Sequence, residues 1–241
     1  MERNELNLNE QEAFKDPDVT LSHRGELIND SRTNYTKRVK VGDRHYYVKR
    51  YFRAGKYLRR LIGPSRARQE WKNAGWLSEN DIPCPRRVAF GEGNRWMGDY
   101  WGIVVNEEMP NTLDLRKIRA ERPDLLKDGA WVNALCYRLA DVVRRMHARD
   151  FIHNDLQWRN ILVDLGATPD VYIIDSPAGR RTWLPGYRRG MLKDLAAVDK
   201  LARTSLSKTQ RLRFFLQYHG THKLTEILKS EVRWVLRFNQ Q

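Results

Sequence analysis

The stretch Phe151–Asp164 reads FIHNDLQWRNILVD. It begins with Phe151-Ile152 and closes on Ile161-Leu162-Val163, two apolar runs of the kind that enter a core. Between them stand His153, Asp155, Arg159 and Asn160. A packed interior rejects such side chains unless each finds a partner. A polar turn satisfying its own backbone would explain one or two of them. Four of different chemistry within eight residues point to a site.

Outward from this stretch the chain reads as elements. Upstream, DGAWVNALCYRLADVVRRMHARD predicts a helix capped by Asp128, with Trp131, Leu135, Leu139, Val142 and Met146 at helical spacing. Downstream, ILVD and VYIID predict two short strands around a Gly-Ala-Thr-Pro turn. Three helical segments follow, around 189–203, 207–218 and 223–237. The first hundred residues look different. RGELIND is a short strand, and NYTKRVKVGDRHYYVKRYF reads as a hairpin turning at Gly42-Asp43. PSRARQEWKNAGWLSEN is helical, with Ser65 as N-cap and Pro83 and Pro85 beyond its end. RRVAFGE and YWGIVVNEE are strand-like. The expected fold class is α+β in two lobes: a polar tail over 1–20, a sheet-rich N-lobe over 21–107 and a helical C-lobe over 108–241.

The 241 residues suffice for such a pair of lobes, and 41% hydrophobic content excludes a disordered chain. No apolar run approaches the length of a membrane span. The opening MERNELNLNEQEAF lacks the apolar region of a signal peptide, so the expected compartment is the cytoplasm. Cys84 and Cys136 lack metal-ligand spacing and read as reduced structural thiols. The net charge of +14 calls for an anionic partner: nucleic acid, an acidic membrane surface or a phosphorylated substrate. Its densest part runs from Lys37 to Arg68, where Asp43 is the single opposing acid.

The site chemistry follows from spacing. His153-x-Asp155, with Asn160 five residues after the Asp, has the spacing of a kinase catalytic loop. Asp155 can accept a hydroxyl proton, and Asn160 can hold a metal that bridges nucleotide phosphates. Arg159 can offset charge on a moving phosphoryl group, while His153 supports the loop. Asp175 ends the strand VYIID and supplies a second hard oxygen ligand, which suits Mg2+. Lys49 lies within a strand on the same face as Tyr47 and Tyr51. Glu70 lies on the small, apolar face of the predicted helix, where a carboxylate needs a cation, and Lys49 is the natural one. Asp194 reads in two ways, as a brace on the loop from a following helix or as an exposed helical carboxylate.

Taken in order, Lys49, Glu70, HNDLQWRN and IID resemble the protein-kinase-like fold. The wording HNDLQWRNILVD…VYIIDSPAGR is similar to the lipopolysaccharide kinases, the bacterial family that phosphorylates Kdo or heptose sugars of the inner core. The resemblance covers roughly residues 24–203. It implies an ATP-dependent kinase with Asp155 as base, Asn160 and Asp175 as Mg2+ ligands, and Lys49 with Glu70 positioning phosphates. Backbone groups from Glu107 to Met109 would meet adenine. Two departures stand out. The turn NDSRTN replaces a glycine-rich phosphate loop, leaving Ser31, Arg32 and Thr33 to supply contacts; and Asp175 is followed by Ser-Pro-Ala-Gly, with no A-P-E segment after it. Arg180, Arg181, Arg188 and Arg189 suit an anionic glycolipid, the lipopolysaccharide core, since arginine forks pair with phosphate and carboxylate. The basic connector near residues 50–60 would rest on the inner membrane, and nucleic acid is not the expected partner. The alternatives are a protein or small-molecule kinase of this fold, or a catalytically weak binding protein; the intact Asp155, Asn160 and Asp175 oppose the latter.

Overall fold

A computed structural model describes residues 1–3, 6–52, 64–95, 99–182 and 186–238. The chain divides into two compact units. The first comprises Met1–Glu79 with Pro85–Met109, the second Asn80–Cys84 with Pro110–Gln241.

The first unit is built on a six-stranded antiparallel sheet. In chain order its elements are β1 (Glu2–Arg3), α1 (Leu8–Ala13), α2 (Pro17–Ser22), β2 (Gly25–Asp30), β3 (Asn34–Val41), β4 (Arg44–Tyr51), α3 (Arg66–Glu79), β5 (Arg87–Arg95) and β6 (Asp99–Glu107). The strand order is β1-β5-β6-β4-β3-β2. The β3–β4 hairpin pairs Val41 with Arg44 around a two-residue loop, and Gly42 takes the positive φ of 59° that the turn demands. Period-two alternation sends Val39, Tyr46, Val48, Ile103 and Val105 to one face. Tyr51, Phe90 and Val104 go to the other, where Ala67 and Trp71 of α3 cover them. Ser65 Oγ caps α3 by accepting from the Arg68 N–H at 3.0 Å.

Residues 1–20 are not a tail. β1 pairs with β5, and α1 lays Ala13 and Phe14 on the first face of the sheet. Phe14 is wholly buried, edge-on to Tyr46 at 5.2 Å, and such burial contributes about 2 kcal/mol. Glu10 is buried beside it, accepting from Tyr46 Oη at 2.8 Å and pairing with Arg86. Two six-residue helices are too short to display an apolar period, and their polar majority masked the three residues that dock. The basic connector at 50–60 lies mostly outside the described residues.

The second unit contains β7 (Thr112–Asp114), α4 (Leu115–Glu121), α5 (Pro123–Lys127), α6 (Gly129–Ala148), β8 (Phe151–Ile152), β9 (Ile161–Asp164), β10 (Val171–Ile173), β11 (Arg180–Arg181), α7 (Tyr187–Ser205), α8 (Lys208–Tyr218) and α9 (Glu226–Phe238). Asp128 caps α6, accepting from the N–H groups of Ala130 and Trp131. All five residues of the expected stripe on α6 are buried. The strands form a sheet in the order β10-β9-β7 and a separate ribbon of β8 with β11. Gly190 of α7 faces β8 where an added Cβ would lie 3.0 Å from the Ile152 side chain, so a bare backbone lets the helix close on the strand. Cys136 is buried and its thiol is pushed up to about 11 by desolvation, as befits a structural thiol. Among the described residues no helix is long and apolar enough to cross a membrane.

Candidate active site

The loop after β8 is held from beneath by one buried carboxylate. Asp194 of α7 is 1% exposed. Its Oδ2 accepts the His153 N–H at 2.7 Å and its Oδ1 accepts the Asn154 N–H at 2.9 Å. Asn154 sits at φ 62°, a left-handed conformation that Asn tolerates and that this grip fixes. His147 of α6 reinforces the carboxylate, with Nε2 at 3.3 Å from Asp194 Oδ2 and Nδ1 at 2.8 Å from Tyr218 Oη. A carboxylate acceptor at Nε2 leaves Nδ1 of a neutral ring to take the Tyr218 O–H. Burial pushes the Tyr218 phenol up, which keeps that donor protonated. The bracing role expected of Asp194 is therefore present, and its exposed alternative is not.

His153 is wholly buried and places Nε2 at 3.1 Å from the Ile174 carbonyl, tying the loop to the end of β10. Its ring is closed off from solvent and serves as a tie between loop and strand. Trp158 lies in a single 3-10 turn at Trp158–Asn160 and donates Nε1–H to the Val198 carbonyl at 2.8 Å, anchoring that turn to α7.

Above this base, Asp155 is 31% exposed at its side chain. Three side chains donate to its carboxylate: Gln157 Nε2 at 2.6 Å, Arg159 Nη2 at 2.9 Å and Asn160 Nδ2 at 3.2 Å. Asn160 Nδ2 also reaches the Asp155 carbonyl at 2.8 Å. The Arg159 guanidinium is thus engaged with Asp155 itself. Asp175 follows Ile174, whose N–H donates to the Asn160 carbonyl at 3.1 Å. Its φ of 57° is a second left-handed position at the site. Backbone bonding therefore sets Asp155, Asn160 and Asp175 on adjoining segments of the second unit.

Lys49 and Glu70 form the other cluster, within the first unit. Lys49 Nζ lies 3.1 Å from Glu70 Oε2, with side-chain exposures of 13% and 5%. Tyr51 Oη donates to the same oxygen, and the Lys49 ammonium lies 5.1 Å from the Tyr51 ring centroid. The hydroxyl bond to Glu70 and the ring contact to Lys49 each offset charge that burial would penalise. At the end of β6 the expectation for the connector narrows. The N–H groups of Glu107 and Glu108 donate to Arg86 and His45 carbonyls within the sheet, and the Glu107 carboxylate pairs with Arg44 and Arg86. Met109 is the last residue of this unit. In the turn replacing a glycine loop, Ser31 Oγ is committed to the Asn34 carbonyl at 2.8 Å.

The four arginines after Asp175 separate into two pairs. Arg180 and Arg181 form β11, paired with Ile152 and Phe151 just before the loop. Arg188 turns instead to α9, where it pairs with Glu231 at 2.9 Å. Sequence reading missed His147, Tyr218 and Gln157, and placed Tyr51 beside Lys49 without its bond to Glu70. A histidine on the buried face of α6 was the available signal for the first.

Fold and loop together define a kinase of the protein-kinase-like class. The chain belongs to the lipopolysaccharide kinase (Kdo/WaaP) family, whose model matches residues 22–234. It is similar to the lipopolysaccharide core heptose(I) kinase WaaP of Pseudomonas aeruginosa, 28% identical over 221 residues, covering 86% of this chain and 81% of the relative. It is also similar to the Escherichia coli protein of the same name, 26% identical over 233 residues, covering 90% and 86%. Among solved structures, WaaP in complex with acyl carrier protein matches with a TM-score of 0.72 and 25% identity, over 92% of this chain and 90% of that one.

Proposed function

We propose that this kinase transfers the terminal phosphoryl group of ATP to a heptose hydroxyl of the lipopolysaccharide inner core, with Kdo as the alternative sugar. The observation that carries the reading is the Asp155 loop: a part-exposed carboxylate held by three donors on a base clamped by Asp194. Asp155 accepts the proton of the sugar hydroxyl as it attacks. Arg159 fixes the Asp155 carboxylate and adds positive charge beside the moving phosphoryl group. Lys49, oriented by Glu70, serves the nucleotide phosphates.

Asn160 and Asp175 would hold Mg2+, which would supply positive charge against the nucleotide phosphates. The donor set fits: Asn160 spends its Nδ2 on Asp155, which leaves Oδ1 as the amide's oxygen ligand, and Asp175 adds a carboxylate. Magnesium takes one or two carboxylates from protein and completes its shell with phosphate and water. Adenine would meet the carbonyl groups of the Glu107–Met109 segment, since two of its N–H groups are spent in the sheet.

The acceptor reading draws on the curated relatives, both named as core heptose kinases, and on Arg180 and Arg181 beside the loop. The structural relative is bound to acyl carrier protein, a partner class that the residues here did not announce, and we extend it to this chain. Action from the cytoplasm on a membrane-held glycolipid follows from that substrate. Asp155→Asn tests the assignment. Transfer should fall by roughly 10²–10⁴-fold while Mg-ATP still raises the melting temperature. Transfer at the wild-type rate would remove Asp155 from the role of base.

A further inference from the structure

Helix α9 takes no part in the site, yet its surface is organised. Its buried side carries Glu231 and Val235. Lys229, Arg233 and Arg237 recur every four residues as an exposed basic stripe; Lys229 is paired with Glu226 at 2.7 Å, so the stripe's charge rests on the two arginines. Beside that stripe run Ile227, Trp234 and Phe238, spaced seven and then four apart on one face. Ile227 is 66% exposed and Phe238 39%. Trp234 stacks on Phe238 with ring centroids 5.0 Å apart.

A groove of about 810 Å³ lies between this face and the start of α7, lined by Arg188, Arg189, Leu192, Trp234, Arg237 and Phe238 among others. Its acid is Glu231, which Arg188 meets at 2.9 Å and His219 at 3.2 Å. Arg189 and Arg237 have no ion-pair partner among the described residues, so the groove keeps their positive charge.

We propose that this face of α9, with the first turn of α7, docks on an anionic lipid bilayer. The proposal rests on the reading of the acceptor as a glycolipid and names the surface that brings the enzyme to it. Parallel cationic and aromatic stripes along one helix are the layout of a helix lying in the headgroup plane. Cations meet lipid phosphates, and Trp and Phe enter the interfacial region. An acidic protein would explain the arginines but would not require an apolar stripe running beside them the length of the helix.

The test uses the full chain without nucleotide or acceptor, so it is independent of catalysis. Cosedimentation is measured with vesicles of phosphatidylcholine alone and with added phosphatidylglycerol. Expected is binding to the phosphatidylglycerol vesicles, weakened by salt because exposed charges are screened. Arg233→Glu with Arg237→Glu should lower the partition at least ~10-fold, each charge near the surface counting. Trp234→Ala should lower it several-fold at every salt concentration. Both variants should phosphorylate lipid-free core oligosaccharide at the wild-type rate and vesicle-held lipopolysaccharide more slowly. Equal binding to both vesicles, or variants that sediment like the wild type, overturns the proposal. So does unchanged vesicle binding with lost retention of an acidic protein such as acyl carrier protein. Vesicle binding without transfer to any acceptor would uphold the docking surface and sink the kinase substrate instead.

Discussion

The two clusters solve one physical problem in opposite ways. Lys49 and Glu70 are a part-buried cation and a buried carboxylate that answer each other, with Tyr51 as a third partner. Asp194 is a buried charge with no cation of fixed sign; it is answered by two backbone N–H groups and a histidine. The first arrangement lets a side chain be aimed, since an ion pair costs about as much in desolvation as it returns. The second shapes backbone, since a carboxylate accepting two successive N–H groups dictates where the chain must run. One cluster thus orients a cation, and the other builds the platform on which Asp155 stands.

Substitution at the platform should have the larger effect on folding. Asp194→Ala leaves the buried His153 N–H and the part-buried Asn154 N–H without their acceptor and should destabilise the protein by about 4 kcal/mol. Urea denaturation measures this, and phosphoryl transfer should fall with it. Asp194→Asn keeps one acceptor oxygen and should be milder. A neutral Asp194→Ala would erase the distinction between the clusters.

Next comes Glu70→Ala, which takes the carboxylate at 3.1 Å away from a lysine only 13% exposed and should cost about 3 kcal/mol. Lys49→Met with Glu70→Leu should recover most of that stability while transfer stays low. Recovery of both would show that the lysine does no work on the nucleotide. Tyr218→Phe takes the donor from His147 Nδ1 and should cost about 1 kcal/mol. Because it acts on the loop and not on the nucleotide, kcat should drop with the KM for ATP unchanged.

The smallest effect concerns acid. Burial pushes the Glu10 carboxyl up, but hydrogen bonds from Tyr46, Asn7 and Arg86 outweigh it and hold the group below its ordinary value of 4.5. Its contribution to stability is complete above that value and is lost as the pH falls through the lowered one. Glu10→Gln should flatten the acid limb of the melting temperature, and an unchanged limb would mean that other carboxylates set it.

Much of this was legible because local chemistry decided it. Gly42-Asp43 fixes a hairpin, and Ser65 and Asp128 cap helices whatever lies around them. The loop was legible because residue types at fixed spacing carry a mechanism. Asp194 could be expected as a brace, since a helix follows the loop closely. What stayed hidden depends on partners far away in sequence. Phe14 needs the face of a sheet formed by later strands. His147 and Tyr218 meet across 71 residues, and Arg188 finds Glu231 across 43. No local pattern announces such pairs.

The most direct measurement of the central claim is the mass and phosphate position of inner-core lipopolysaccharide after incubation with the intact protein, ATP and Mg2+. The account predicts a product heavier by one phosphate, carried on a heptose hydroxyl, with no product when the metal is chelated. An unmodified acceptor, with Mg-ATP shown to be bound, would contradict it.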